Sequence, residues 1–162
     1  MDVSLRKLER NDAYISYKWR NDPEVFKYTG TVYDHEITLE TELQWIERVI
    51  ENDDEYRCAI IVDNCYVGHI YLTNIIKDFS AEYHIFIGEK SYWGKGVAKK
   101  VSIEIIRYGF EYLNLKKIVL EVHLQNNTAI HLYEKLGFTR LGENSNFITM
   151  EIVKDKYNEL YG

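Results

Sequence analysis

EVHLQNNTAIHLYEKLGF, residues 121–138, changes its period in the middle. The run KKIVLEVHL, residues 116–124, overlaps its start and alternates. Ile118, Leu120, Val122 and Leu124 share one face, the pattern of a half-buried strand. From Asn126 or Asn127 onward the apolar residues recur at helical spacing. Either asparagine can cap that helix, and Gly137 supplies the left-handed residue that ends it. Asn126 and Tyr133 are seven apart, so both lie on one face of the helix.

The same strand-to-helix change occurs earlier, in IFIGEKSYWGKGVAKKV, residues 85–101. Gly94 and Gly96 separate the strand AEYHIFIG from a helix predicted over Gly96–Leu113. On that helix Val97, Val101 and Ile105 lie four apart, as do Ser102, Ile106 and Phe110. Glycines let a bulky anion approach the backbone, and the first-turn N–H groups with the helix dipole can hold it. Lys95, Lys99 and Lys100 add positive charge. A two-glycine turn is also what an ordinary structural turn looks like. It is no Walker A loop, because no Gly-Lys-Ser/Thr follows at the right spacing, and it lacks the third glycine of a Rossmann fingerprint.

Toward the N-terminus, Val3–Leu8 reads as a strand. Asn11-Asp12 caps the helix AYISYKWR, which Asn21-Asp22-Pro23 ends. Thr38 or Thr41 caps a second helix over Leu39–Asn52, with Leu43, Ile46 and Ile50 on its buried face. CAIIV and YVGHIYLTNII flank Asp63-Asn64, a hairpin signal, and a further turn falls near Lys77-Asp78. TRLGE and FITMEIV close the chain as strands. The predicted order is βααβββαβαββ, a mixed α/β sheet with helices on its faces.

The 162 residues suit one domain, 1–162, and 46% hydrophobic with 28% charged residues is the balance of a folded chain rather than a disordered one. No apolar run reaches membrane-spanning length, and the first residues carry no signal-peptide core, so a cytoplasmic protein is expected. Cys58 and Cys65 flank a turn and are read as reduced thiols. No Cys/His group has metal-ligand spacing, so no metal is expected. Residues 1–92 carry 18 acids and 10 bases, whereas residues 93–162 carry 8 acids and 10 bases. The overall charge of −6 argues against nucleic acid as the partner.

Taken together, AEYHIFIGEKSYWGKGVA, the strand KKIVLEV and the run from Asn126 to Phe138 resemble the GNAT superfamily of N-acetyltransferases. Within it they resemble the RimJ/RimL-like branch, which WRNDPEV at residues 19–25 also suits. The likeness covers most of the chain. It implies a central, mostly antiparallel twisted sheet, splayed between strands 4 and 5, with helices on both faces. It implies acetyl-CoA as co-substrate, its pyrophosphate held at Trp93, Gly94, Lys95, Gly96, Val97 and Ala98. Trp93 stands where the family usually has Gln or Arg. The strand backbone at Phe86 and Ile87 would pair with pantetheine, and Asn126 would bond the same arm. Tyr133 would protonate the departing CoA thiolate.

An uncharged amine must attack the thioester, so the acceptor must lose a proton. Glu82 matches the Ala-Glu that opens this strand in RimJ-like sequences. His84, Glu121, His123 or no dedicated base are the alternatives. The acceptor is expected among Trp19, Arg20, Asn21, Tyr28, Tyr33, His35 and His84. WRNDPEV and the short final hairpin look like those of amino-sugar nucleotide acetyltransferases, with Arg20 and Lys27 to meet the diphosphate. Protein α-amino groups, polyamines and aminoglycosides stay open. The nine acids and one base of Asp34–Glu55 would suit a cationic acceptor. A homodimer is compatible with this reading. A CoA-binding module without turnover is the competing class, against which the presence of both Asn126 and Tyr133 argues.

Overall fold

The computed structural model describes residues 1–29 and 33–162. The strands are β1 (Val3–Lys7), β2 (Tyr56–Val62), β3 (Cys65–Ile76), β4 (Ser80–Ile87), β5 (Lys117–His123), β6 (Thr139–Glu143) and β7 (Phe147–Val153). The helices are α1 (Ala13–Arg20), α2 (Leu39–Val49), α3 (Val97–Arg107), α4 (Asn127–Leu136) and α5 (Lys154–Tyr161). One sheet runs in the order β1-β2-β3-β4-β5-β7-β6. Every pairing is antiparallel except β4 with β5. The predicted mixed sheet and element order are therefore present. The addition is α5, whose polar sequence gave no periodic signal; only its Tyr157 is buried, stacked 4.8 Å from Phe110.

Local chemistry explains the turns. Asp63 and Asn64 both take positive φ, 49° and 68°, as a tight hairpin with the right-handed strand twist requires. Thr38 caps α2 by accepting a hydrogen bond from the Thr41 N–H. Gly137 ends α4 at φ 112°. Past α3 the helix widens into a π-turn at Tyr108–Tyr112, where Gly109 and Phe110 are buried. Cys58 is buried and Cys65 exposed; they face Ile70 and Val62 across the hairpin, and both are free thiols.

Alternation sorts the side chains by face. Cys58, Ile60, Ile70, Leu72, Ala81, Tyr83, Ile118, Leu120 and Met150 join α3, α4 and α5 in the main core. The opposite face carries α1 and α2 on Ala59, and Trp19 and Phe26 on Phe86. Among the described residues, β4 and β5 pair only over Ser80–Glu82 against Lys117–Val119. Beyond that point β4 stays with β3 as far as Ile87 and β5 stays with β7 as far as His123. The sheet therefore opens into a V whose closed end is at Glu82. Among the described residues the edge of β4 that faces into it has no neighbouring strand.

Candidate active site

The glycine turn stands at the open end of the V. Gly94 and Gly96 have φ of 72° and 80°, conformations that side chains other than glycine resist. A Cβ at either position would meet nothing within 4 Å, so the space above this backbone is open. Gly96 is the N-cap of α3, and the first-turn N–H groups of a helix have no partner inside it. Trp93, half exposed, donates its indole N–H to the Ile87 carbonyl at 2.8 Å and so folds the turn back on the end of β4. Lys95 lies over the Tyr92 ring. Lys90 bridges Asp22 and Glu24, tying the turn to the segment after α1.

On the α3–α4 face, Asn126 is the N-cap of α4. Its side chain accepts from the Ala129 N–H at 3.3 Å. Tyr133 lies edge-on to Tyr83 at 5.6 Å and is 8% exposed. Burial pushes its phenol up to about 12, against a smaller downward pull from the Tyr83 hydroxyl, so it holds its proton at neutral pH. Tyr83 in turn shares a 2.6 Å hydrogen bond with Ser102.

On the other face, Glu82 accepts from Asn74 Nδ2 at 2.9 Å and lies 3.9 Å from His84 Nε2. His84 is 3.0 Å from the Thr73 hydroxyl and stacks on Tyr71, 4.8 Å away with 14° between the rings. Burial lowers the His84 pKa; Glu82 and Glu55 pull it up and Arg57 pushes it down. Arg57 lies over Tyr71 at 4.2 Å and over Trp45 at 4.9 Å, with Arg20 on Trp45 at 4.5 Å. A column of alternating cations and rings thus runs from α1 to His84. Glu121 is exposed on β5. His123 packs its ring between Tyr28 and Phe147, 5.4 Å from each, and its Nδ1 accepts from the Gln125 N–H.

Sequence reasoning placed Trp19, Arg20 and Asn21 at the acceptor. The structure gives all three a role in holding the fold. Trp19 is 5% exposed, packs on Tyr66 and Phe86, and donates to Glu89. Gly88 must lack a side chain because a Cβ there would stand 2.0 Å from the Trp19 ring. Arg20 is bound through Nε to the buried Glu42 at 3.2 Å. Asn21 clamps the Ile37 backbone by both its carbonyl and its amide. Tyr28 packs against His123 and Tyr33 against Phe26. His35 is exposed and pairs with Asp34. Sequence reasoning missed Trp45, Arg57, Tyr71 and Thr73. An arginine at the head of the apolar run RCAIIV was the one visible signal.

Among the described residues no group of three or more His, Cys, Asp or Glu could hold a metal, and no helix is long and apolar enough to cross a membrane.

Residues 2–139 match the family described as Acetyltransferase (GNAT) domain. The chain is 34% identical over 152 residues to spermidine N(1)-acetyltransferase of Escherichia coli, covering 87% of this chain and 75% of that one. It is 26% identical over 144 residues to the acetyltransferase PseH of Campylobacter jejuni, covering 89% and 87%. The crystal structure of spermidine N-acetyltransferase from Vibrio cholerae in complex with CoA and spermine superposes with a TM-score of 0.85 at 28% identity. That match covers 96% of this chain and 98% of that one.

Proposed function

Because the chain belongs to the GNAT acetyltransferases, enzymes that take acetyl from acetyl-CoA, we propose that it transfers that acetyl group to a primary amine by direct attack inside the β4–β5 opening. The V itself carries this reading. It has an anion-ready turn at its open end, a strand edge along one side with no neighbouring strand among the described residues, and proton-active groups on both faces near its closed end. In this reading the pyrophosphate lies on the backbone of Trp93–Ala98. Pantetheine adds itself as a short strand beside Phe86 and Ile87, and Asn126 steadies the arm. The amine enters from the α1–α2 face, and its proton leaves on the side of Glu82 and His84. A β4 backbone N–H steadies the oxyanion. The thiolate departs on the opposite face, where the un-ionised Tyr133 hydroxyl meets it.

For the acceptor we infer an amino-sugar nucleotide. Four of the nine acids in the acidic span are engaged: Glu42 with Arg20, Glu47 with Arg10, Glu55 with Arg57 and Asp34 with His35. What faces the amine entrance is instead a wall of rings with polar tips, Tyr28, Tyr71, His84 and His123, suited to a sugar or base. Arg20 is committed to Glu42, so Lys27, whose Nζ lies 5.1 Å over the Tyr28 ring, is the cation for a diphosphate. A polyamine is the second reading, supported by the spermidine acetyltransferases among the relatives. Purified protein with acetyl-CoA, assayed by thiol release against amino-sugar nucleotides and polyamines, separates the two. Turnover of spermidine with none on any amino-sugar nucleotide refutes the sugar reading. CoA binding without turnover of any amine refutes the transferase.

A further inference from the structure

We propose that His84 is the group that accepts the amine proton and that Glu82 is a positioning residue whose charge stabilises the imidazolium that forms. This rests on the transferase reading above and assigns a role that the family likeness left open between several residues.

The argument starts from the alternation of β4. Tyr83 points to the α3–α4 face, where it touches Tyr133. Residues 82 and 84 therefore point to the other face, from which the amine enters. A thioester in the V then has the thiolate's proton donor on one side and a base on the other. Of the two groups on the entry face, Glu82 stands where β4 is still paired, opposite Val119, and its Oε2 is taken up by Asn74. His84 stands two residues further on, past the last paired position, beside the open edge.

The surroundings of the imidazole assign its proton. Nε2 faces two oxygens, Thr73 Oγ1 at 3.0 Å and Glu82 Oε2 at 3.9 Å. The Thr73 hydroxyl, within hydrogen-bond distance, can accept from an Nε2–H, which leaves the lone pair on Nδ1, while the Glu82 carboxylate, beyond hydrogen-bond reach, favours the protonated ring through its charge. Tyr71 supports the ring plane from below, Arg57 lies beneath Tyr71, and Glu55 is bonded to Arg57 at 2.7 Å. From β5, Glu121 projects on the same face of the sheet. Burial keeps the ring neutral at pH 7, so a lone pair is available there.

The step balances. The amine attacks uncharged, its ammonium proton already lost to water; its nitrogen bonds to the thioester carbonyl carbon and becomes cationic, and so far more acidic. Its proton passes to His84 Nδ1 while the C–S bond breaks. The sulfur takes the Tyr133 proton. The imidazolium, steadied by Glu82, then returns its proton to water, and the phenolate regains one from water.

The test uses the full chain and the best acceptor found in the amine panel. His84→Gln should lower kcat by about 10²- to 10³-fold, within the usual range for loss of a general base, and abolish the acidic limb of the kcat/KM profile. Its CoA affinity, read by calorimetry, should stay within twofold of the parent. His84→Ala should regain activity with added imidazole, which a packing role would not allow. Glu82→Gln removes the carboxylate that holds the imidazole's pKa up, so the acidic limb and the His84 NMR titration should both move to lower pH. Wild-type turnover with His84→Gln within twofold across pH 6–9, no imidazole rescue, or an unmoved titration in Glu82→Gln overturns the assignment. A wild-type protein that acetylates no amine overturns the transferase reading itself.

Discussion

Replacing Arg20 by alanine tests the most consequential difference between sequence and structure. Sequence alone made Arg20 an acceptor contact, whose loss would weaken binding. In the structure its side chain is 11% exposed and that of Glu42 is 2% exposed, with Nε 3.2 Å from the carboxylate. Removing one partner of such a pair strands a buried charge and typically costs about 3–5 kcal/mol of stability. At a urea slope of about 2 kcal/mol/M the midpoint should fall by about 1.5–2.5 M. The deficit should depend on pH. Burial already raises the Glu42 pKa, and the Arg20 charge and hydrogen bond oppose that rise. Without Arg20 the folded pKa climbs further above the unfolded one. A raised folded pKa means stability is present below the unfolded pKa and lost as pH rises through the folded one. The variant should therefore fall furthest behind the parent at pH 7 and recover toward pH 4–5. Arg20→Met with Glu42→Leu should restore most of the loss, because an apolar pair leaves no charge stranded. Paired urea melts at pH 7 and pH 4.5 decide it. A deficit under about 1 kcal/mol at pH 7, or an equal one at both pH values, refutes a buried ion pair at this site.

Tyr133→Phe should lower kcat by about 10- to 100-fold and leave CoA affinity nearly intact; full activity across pH 6–9 would make Tyr133 a packing residue. Gly96→Val should abolish CoA binding, measured by calorimetry, because it fills open space over the turn and strains a φ of 80°. Gly88→Ala should destabilise by about 1–3 kcal/mol in urea, since its Cβ collides with the Trp19 ring, whereas an unchanged midpoint would show that the ring can move.

The sequence made legible what local pattern encodes. The β5–α4 change of period, the Gly96 start of α3 and the Gly137 stop need only neighbouring residues, and the structure contains each of them. The burial of Trp19 was illegible because a short helix with exposed Tyr14 and Ile15 does not show which of its aromatics is buried. The column from Arg20 to His84 was illegible for a different reason. It depends on which residues stand opposite one another in β2, β3 and β4, with Arg57 against Tyr71 and Tyr71 against His84. Irregularities between Ile60 and Ile61 and between Thr73 and Ile76 shift that register, and no local pattern reports a shift of one residue across strands.

The same register bears on where the proposed chemistry would sit. A strand presents successive side chains to opposite faces at no cost in backbone strain. At the point where β5 leaves β4, that alternation separates Tyr83 and its partner Tyr133 from Glu82 and His84 by the thickness of one strand. Acyl transfer from a thioester needs a proton removed from the nucleophile and one supplied to the leaving group, and the two must not neutralise each other directly. Opposite faces of one strand meet that requirement. In the proposed reaction the backbone between them, freed of its neighbour by the V, would bind the substrate that joins them. A wider pairing of β4 with β5 would keep both side-chain sets in place and still remove the proposed site, because its central element is the strand edge that β5 leaves open.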